Sequence, residues 1–171
     1  SEECAAAKRI SGGSVLDLTC GLGVDAMALS RRFERVTAVE RDETLAEVVR
    51  ENMRRTGIDN VEVVTASAEE YAASCRERFD WIYVDPDRRA AEGRRAVRME
   101  DCSPDVAGML PELRRLSDRL AVKCSPLFDI DEAFRIFGDC GAEAVSLRGE
   151  CKEVMIYADG RRPTVAAEAI G

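Results

Sequence analysis

The chain has no histidine among its 171 residues. That removes hydrolase mechanisms in which an imidazole activates a serine or cysteine, and with it the commonest zinc ligand. No C-x-x-C pair occurs among the seven cysteines (4, 20, 75, 102, 124, 140 and 151), an odd number. Neither a disulfide framework nor a metal site is expected, and the chain reads as reduced and cytoplasmic. Long hydrophobic runs are missing too. The longest resemble Trp81-Ile82-Tyr83-Val84, far below the ~20 residues that cross a bilayer, and no basic-then-apolar leader opens the sequence. A membrane or secreted protein is not expected. Nor is there an excess of positive charge: 25 Lys and Arg against 33 Asp and Glu give a net charge of -8. A polyanionic partner must therefore be met by a local basic patch.

What is present is the length and composition of one globular domain, 46% hydrophobic and 34% charged. Apolar runs alternate with helix-period segments from Ser14 onward, without internal repeats, which predicts an α/β sandwich. Strands are expected over Val15 to Thr19, Val36 to Glu40, Val61 to Thr65, Trp81 to Val84 and Leu120 to Cys124. Helices are expected over about Asp25 to Phe33 and after Ser67. Another carries Leu45, Val48, Val49, Asn52 and Met53 on one stripe and stops at Gly57. Val106 to Leu116 also has helix period, with Pro111 as a kink or a helix start, and Asp131 to Phe137 is a short helix. Residues 87–98 read as an arginine-rich loop. Ala144 to Leu147 and Glu153 to Tyr157 are strand-like and too close together for an intervening helix, so they predict an antiparallel hairpin. The Asp159-Gly160 turn and Pro163 to Ile170 read as a tail or the start of a further domain.

The first strand runs into Asp17-Leu18-Thr19-Cys20-Gly21-Leu22-Gly23-Val24-Asp25-Ala26. A strand, a Gly-rich turn and a helix place backbone N-H groups against a cofactor. Gly21, Gly23 and Ala26 satisfy a G-x-G-x-x-A dinucleotide pattern and Glu40 could take ribose hydroxyls, so a NAD-dependent oxidoreductase is one reading. Asp17 argues for another. A carboxylate just before the turn repels a pyrophosphate but attracts a cofactor carrying an ammonium and a sulfonium, as S-adenosyl-L-methionine (SAM) does. Asp25 has the same bias, and also suits the helix dipole.

Asp17 through Gly23, Glu40 and Asp85-Pro86 resemble the class I SAM-dependent methyltransferases. That resemblance implies a Rossmann-like seven-stranded sandwich over residues 1–158, mostly parallel with a C-terminal antiparallel hairpin, leaving 159–171 as tail. A narrower resemblance is to bacterial methyltransferase-like proteins with a THUMP-like domain. It rests on Ser1-Glu2 with Ala5 and Lys8, and on the words at 17–25, 85–89, 101–106, 123–130 and 150–153. That group tends to carry Gly where Cys20 stands and an aliphatic residue where Cys124 stands. The resemblance implies SAM as cofactor, with Glu40 on its ribose, Ser67 and Ala68 near its adenine and Lys8 reaching its carboxylate. Thr19, Gly21, Gly23, Asp17 and Asp25 complete the expected cofactor set. It also implies an activity directed at RNA.

Asp85-Pro86-Asp87-Arg88 is similar to the D/N-P-P-Y/F/W word of methyltransferases that act on exocyclic amines. There the acid and the proline-flanking carbonyl accept hydrogen bonds from the NH2 and aim its lone pair. Asp85, Pro86 and Arg88 are accordingly the expected catalytic residues, Arg88 standing where an aromatic would stack. Arg88, Arg89, Arg94, Arg95 and Arg98 form the local basic patch for RNA phosphates, with Lys123 toward the same edge. The expected function is methyl transfer to a nucleobase nitrogen in RNA. Uracil-C5 RNA methyltransferases offer an alternative. They resemble the chain at D-P-x-R and at Lys123-Cys124-Ser125-Pro126, with Cys124 as nucleophile and Glu153 as base. A small-molecule or protein methyltransferase and a non-catalytic SAM-binding module are the further readings.

Overall fold

The computed structural model describes residues 2–88, 98–161 and 163–171. Its centre is one sheet of eight strands: β1 (Gly12–Asp17), β2 (Phe33–Glu40), β3 (Val61–Thr65), β4 (Trp81–Val84), β7 (Leu120–Cys124), β8 (Gly141–Leu147), β9 (Glu150–Ala158) and β10 (Thr164–Ile170). Their order is β10-β8-β9-β7-β4-β1-β2-β3. Strands β1 to β4 and β7 are parallel, whereas β9 runs antiparallel to both β7 and β8. The expected mostly parallel sandwich with a C-terminal hairpin is therefore present, with one strand more than the seven expected. The extra strand is β10, which pairs in parallel with β8 from Thr164↔Gly141 to Ile170↔Leu147. Residues read as a tail thus lie on the edge of the same sheet.

Period-2 alternation divides the core between the two faces of the sheet. Leu16, Ile82, Val84, Leu120 and Val122 pack on one face, with Leu113, Leu116, Ala133 and Phe137 of α5 (Leu110–Leu116) and α6 (Ile130–Phe137) and with Ala68 and Ala72 of α4 (Ala68–Ser74). Val15, Trp81, Tyr83 and Ala121 pack on the other, against Cys4 of α1 (Glu2–Ala7), Ala26 and Leu29 of α2 (Val24–Leu29), and Val49 and Met53 of α3 (Glu43–Thr56).

Helix α3 begins where the Asp42 side chain accepts the Leu45 N-H at 3.0 Å and stops at Gly57, whose φ of 69° suits a residue without Cβ. Its buried stripe is Ala46, Val49 and Met53. Val48, expected on that stripe, is exposed, because α3 is turned toward the alanine. Phe33, expected to end the second helix, opens β2 instead. Pro111 sits in the first turn of α5, where its missing N-H is harmless. Within the segment expected to be a loop, β5 (Asp87–Arg88) pairs antiparallel with β6 (Cys102–Ser103), the first residues after a short 3-10 turn over Met99–Asp101. No helix among the described residues is long and apolar enough to cross a membrane.

Candidate functional site

The parallel strands end on one edge of the sheet, and the connections diverge between β1 and β4, the crevice where open α/β sheets bind ligands. A cavity of 680 Å³ opens there. Its wall includes Thr19, Gly21, Asp25, Glu40, Ala68, Asp85 and Lys123, all expected from the sequence, brought together from β1, β2, α2, α4, β4 and β7. The Gly21 N-H donates to Glu40 Oε2 at 2.9 Å and the Asp42 N-H to Glu40 Oε1 at 2.9 Å, so the turn after β1 and the end of β2 are tied through one carboxylate. Gly21, at φ 54°, leaves space above it that a Cβ would enter. Gly23 does not reach the cavity. At φ 82° it lies against α3, where a Cβ would meet Val49 Cγ1 at 2.9 Å.

Three more of the expected cofactor residues are not on the cavity wall. Ser67 is not on the cavity wall, because its hydroxyl is engaged in the capping box of α4: Oγ donates to Glu70 Oε2 and accepts the Glu70 N-H. Its neighbours Ala66, Ala68 and Glu69 line the wall instead. Lys8 is off the wall as well and 2% exposed, neither a solvated lysine nor a group free to meet a ligand. Its ammonium is bound to Asp25 at 2.6 Å and lies over the Tyr83 ring, and Arg32 donates to the backbone carbonyls of Ala6 and Lys8. Asp17 is fully buried beneath the cavity. Its Oδ1 accepts the Thr19 N-H at 2.9 Å, while Oδ2 has no hydrogen-bond partner among the described residues. Burial pushes its carboxyl up to about 8, and the Thr19 N-H offsets only part of that.

Asp85 follows β4, and its N-H donates to the Thr19 hydroxyl at 2.7 Å. Its side chain meets Lys123 Nζ at 2.6 Å. Burial raises the Asp85 carboxyl above the ordinary range, with Lys123 working against the shift. Burial alone would lower Lys123, but Asp85, Asp25 and Glu153 together outweigh it and hold the ammonium charged. Asp25 feels the same contest. Burial opposes its charge, yet Lys8, Lys123 and the Tyr83 hydroxyl at 2.7 Å leave its carboxyl below the usual range.

A second cavity of 250 Å³ adjoins the first and shares Asp85, Asp87 and Lys123 with it. Pro86, Cys124, Phe128, Arg98 and Lys152 also line it. Arg88 is in β5, opposite Cys102. Arg89, Arg94 and Arg95 lie outside the described residues. Sequence reading assigned no role to Tyr83, Asp87 or Phe128. The word at 101–106 was noted only as a resemblance, although it supplies Ser103 and Pro104 to the larger cavity. Burial drives the Cys124 thiol far above its ordinary range, which disfavours the thiolate that nucleophilic attack requires.

The larger cavity has seven carboxylates on its wall and two cations, Arg41 and Lys123. A pyrophosphate would be repelled there, so a nicotinamide dinucleotide does not fit. SAM fits: a cationic ligand suits an acidic wall, an unmatched carboxylate oxygen lies beneath it, and the space over Gly21 lets a ligand approach the backbone. Among the described residues no group of side chains is placed to hold a metal ion.

A family model described as conserved hypothetical protein 95 matches residues 4–97. An S-adenosylmethionine-dependent methyltransferase of Mycobacterium tuberculosis, named as uncharacterized, is 29% identical over 154 residues, covering 90% of this chain and 41% of that protein. A tRNA/tmRNA (uracil-C(5))-methyltransferase of Sodalis glossinidius is 29% identical over 151 residues, covering 75% of this chain and 40% of that protein. Among solved structures, one from Porphyromonas gingivalis provisionally named a methyltransferase superposes with a TM-score of 0.72 at 28% identity, covering 86% of this chain and 36% of that one. The chain thus spans about two fifths of the length of each of these three relatives.

Proposed function

From the premise that this chain belongs to the conserved hypothetical protein 95 family, we propose that it is the catalytic domain of a SAM-dependent methyltransferase and that its acceptor is RNA. The observation that carries this reading is the pairing of two unlike cavities across Asp85 and Lys123. The larger is acidic, and the smaller has Arg98, Lys123 and Lys152 against Asp85 and Asp87. A cationic cofactor suits the first and a polyanion the second.

SAM, when bound, supplies an electrophilic methyl group on its sulfonium. Glu40 would take its ribose hydroxyls, and the chain at Ala66 and Ala68 would face its adenine. The backbone at Thr19 would meet its amino-acid end with Asp17 beneath it, and Asp25 and Asp85 add negative charge to the same wall. The relative named for transfer to tRNA and tmRNA supports RNA as the acceptor, as does the resemblance to proteins with a THUMP-like segment. The arginines from Arg88 to Arg98 would extend the cationic side toward phosphates. Asp85-Pro86 suggests a nucleobase nitrogen as the methylated atom and Cys124 suggests uracil C5. The raised thiol argues against the second.

Calorimetric titration with SAM, S-adenosylhomocysteine and NADH, followed by transfer of labelled methyl groups to RNA transcripts, tests the reading. Saturable SAM binding, no NADH binding and label in RNA are the expected results. NADH binding without SAM binding would overturn the cofactor assignment, and SAM binding with label only in protein or metabolites would overturn the acceptor.

A further inference from the structure

Lys123 stands where the two cavities meet, and three carboxylates lie within 4 Å of its ammonium. Its Nζ lies 2.6 Å from Asp85 Oδ2 and 3.9 Å from both Asp25 Oδ2 and Glu153 Oε2. Lys8 Nζ completes the array, 2.6 Å from Asp25 Oδ1 and 3.7 Å from Glu153 Oε1. Lys8 and Glu153 are almost wholly buried. The segment after α1, the residue after β4, the end of β7 and the start of β9 thus converge on one point, with ammonium and carboxylate groups alternating.

The sign of the charge that develops during transfer separates the possible acceptors. A nitrogen that takes a methyl group becomes more positive, and an ammonium 2.6 Å from the carboxylate meant to hold its protons opposes that change. A hydroxyl oxygen becomes more negative as its proton leaves, and the same ammonium stabilises it. Uracil C5 as acceptor would need a thiolate at Cys124, which burial disfavours. The position two residues beyond Pro86, where an aromatic would stack on a base, is Arg88. The smaller cavity carries cations near Asp85, and a ribose hydroxyl in a polynucleotide lies close to backbone phosphates.

Resting on the RNA reading, we infer that the methyl acceptor is a ribose 2′-hydroxyl. Asp85 is the general base, Lys123 is the cation that stabilises the oxygen, and Glu153 and Lys8 are positioning residues that hold Lys123 in place. The hydroxyl proton passes to the Asp85 oxygen not bound to Lys123 and then to water. As the oxygen–methyl bond forms, the sulfur–methyl bond breaks and its electron pair stays on sulfur. A ribose hydroxyl is also what distinguishes RNA from DNA at a single site.

The test uses unmodified ribosomal and transfer RNA transcripts, the full chain and methyl-labelled SAM, followed by alkaline hydrolysis and nucleoside analysis. Label is expected in alkali-resistant dinucleotides as 2′-O-methyl nucleosides. Lys123→Ala is expected to slow transfer about a hundredfold while S-adenosylhomocysteine binding changes less than about threefold. Glu153→Gln is expected to lower kcat about tenfold with KM for RNA unchanged, a split that general loss of structure would not give. A readout without turnover accompanies these. With S-adenosylhomocysteine present, an RNA oligonucleotide should bind more tightly than DNA of the same sequence, and Lys123→Ala should erase the difference. Label on a base would overturn the ribose assignment and leave the RNA reading intact. Equal binding of RNA and DNA by the unaltered chain would also overturn it. Bound cofactor with no label in any RNA would overturn the RNA reading and the ribose assignment together.

Discussion

The Thr19 hydroxyl accepts the backbone N-H of Asp85 at 2.7 Å, so one hydrogen bond ties the glycine turn after β1 to the residue that follows β4. The two residues are 66 positions apart in sequence, and β1 and β4 are adjacent in the sheet. Thr19→Val keeps the shape and removes the acceptor. It is expected to cost about 1–2 kcal/mol in chemical denaturation and to lower kcat more than SAM affinity, because Asp85 loses its backbone anchor while the wall beneath the cofactor keeps its form. Equal losses in kcat and SAM affinity would show that Thr19 serves the cofactor instead.

The two glycines of the turn are expected to fail differently. Gly23→Ala pushes a methyl group against Val49 at 2.9 Å in a left-handed conformation. Its melting temperature should fall by an amount equivalent to about 1–3 kcal/mol. Gly21→Ala meets no atom nearer than 4.0 Å, so its cost is mainly backbone strain of about 1 kcal/mol. Its Cβ instead enters the space above the turn, so SAM affinity should drop more than stability. Thermal melts beside calorimetric titration separate the two outcomes.

Asp17 makes stability depend on pH with a defined sign. Its folded value of about 8 lies above its ordinary 3.8, so the folded chain holds a proton that the unfolded chain releases. The resulting stability is complete below about pH 4 and is lost as pH rises toward about 8. Asp17→Asn has no such proton. Its stability relative to the unaltered chain should therefore rise across that window, by on the order of a few kcal/mol at the top, and then level off. The same substitution should weaken SAM binding, since a cationic ligand would draw the proton off Asp17 and an amide cannot supply the resulting charge. Urea denaturation at a series of pH values would expose a flat difference if Asp17 were ionised throughout.

How much of this was legible in the sequence follows from how local each signal is. Strands β3, β4 and β7 have the expected bounds because turn residues or prolines frame short apolar runs. Glu40, Gly21, Asp85 and Lys123 share a cavity wall because strand ends on one edge of a parallel sheet share a crevice, a relation legible from the strand pattern. The burial of Lys8 has no local mark. It depends on Asp25, Tyr83 and Arg32, all far along the chain. Ser67 is engaged by Glu70 three residues on, in a capping box visible in the sequence. Strand β10 was missed because its run of small residues, Ala166, Ala167 and Ala169, has weak strand propensity. Pairing with β8 overrides that propensity.

Lys123 also sets where activity begins on the acid side. Burial raises the Asp85 carboxyl and Lys123 holds part of that rise in check. Other charged groups near the pair are Asp25 and Glu153, each 3.9 Å from Lys123, Lys8 behind them, Asp17 beneath, and Asp87, Arg98 and Lys152 on the wall of the smaller cavity. A general base must be ionised to take a proton, so the acid limb of kcat should lie above the ordinary carboxylate range. Lys123→Gln removes the positive charge nearest Asp85 and leaves the repulsion from Asp25 less opposed, so Asp85 should bind its proton more tightly. The acid limb is expected to move to higher pH, with activity at pH 6 falling by a larger factor than activity at pH 9. Lys123→Arg keeps the charge and should restore the position of the limb even where its longer side chain lowers the plateau. A limb that stays in place in Lys123→Gln while the plateau falls would mean that Lys123 acts on the acceptor oxygen alone and not on Asp85.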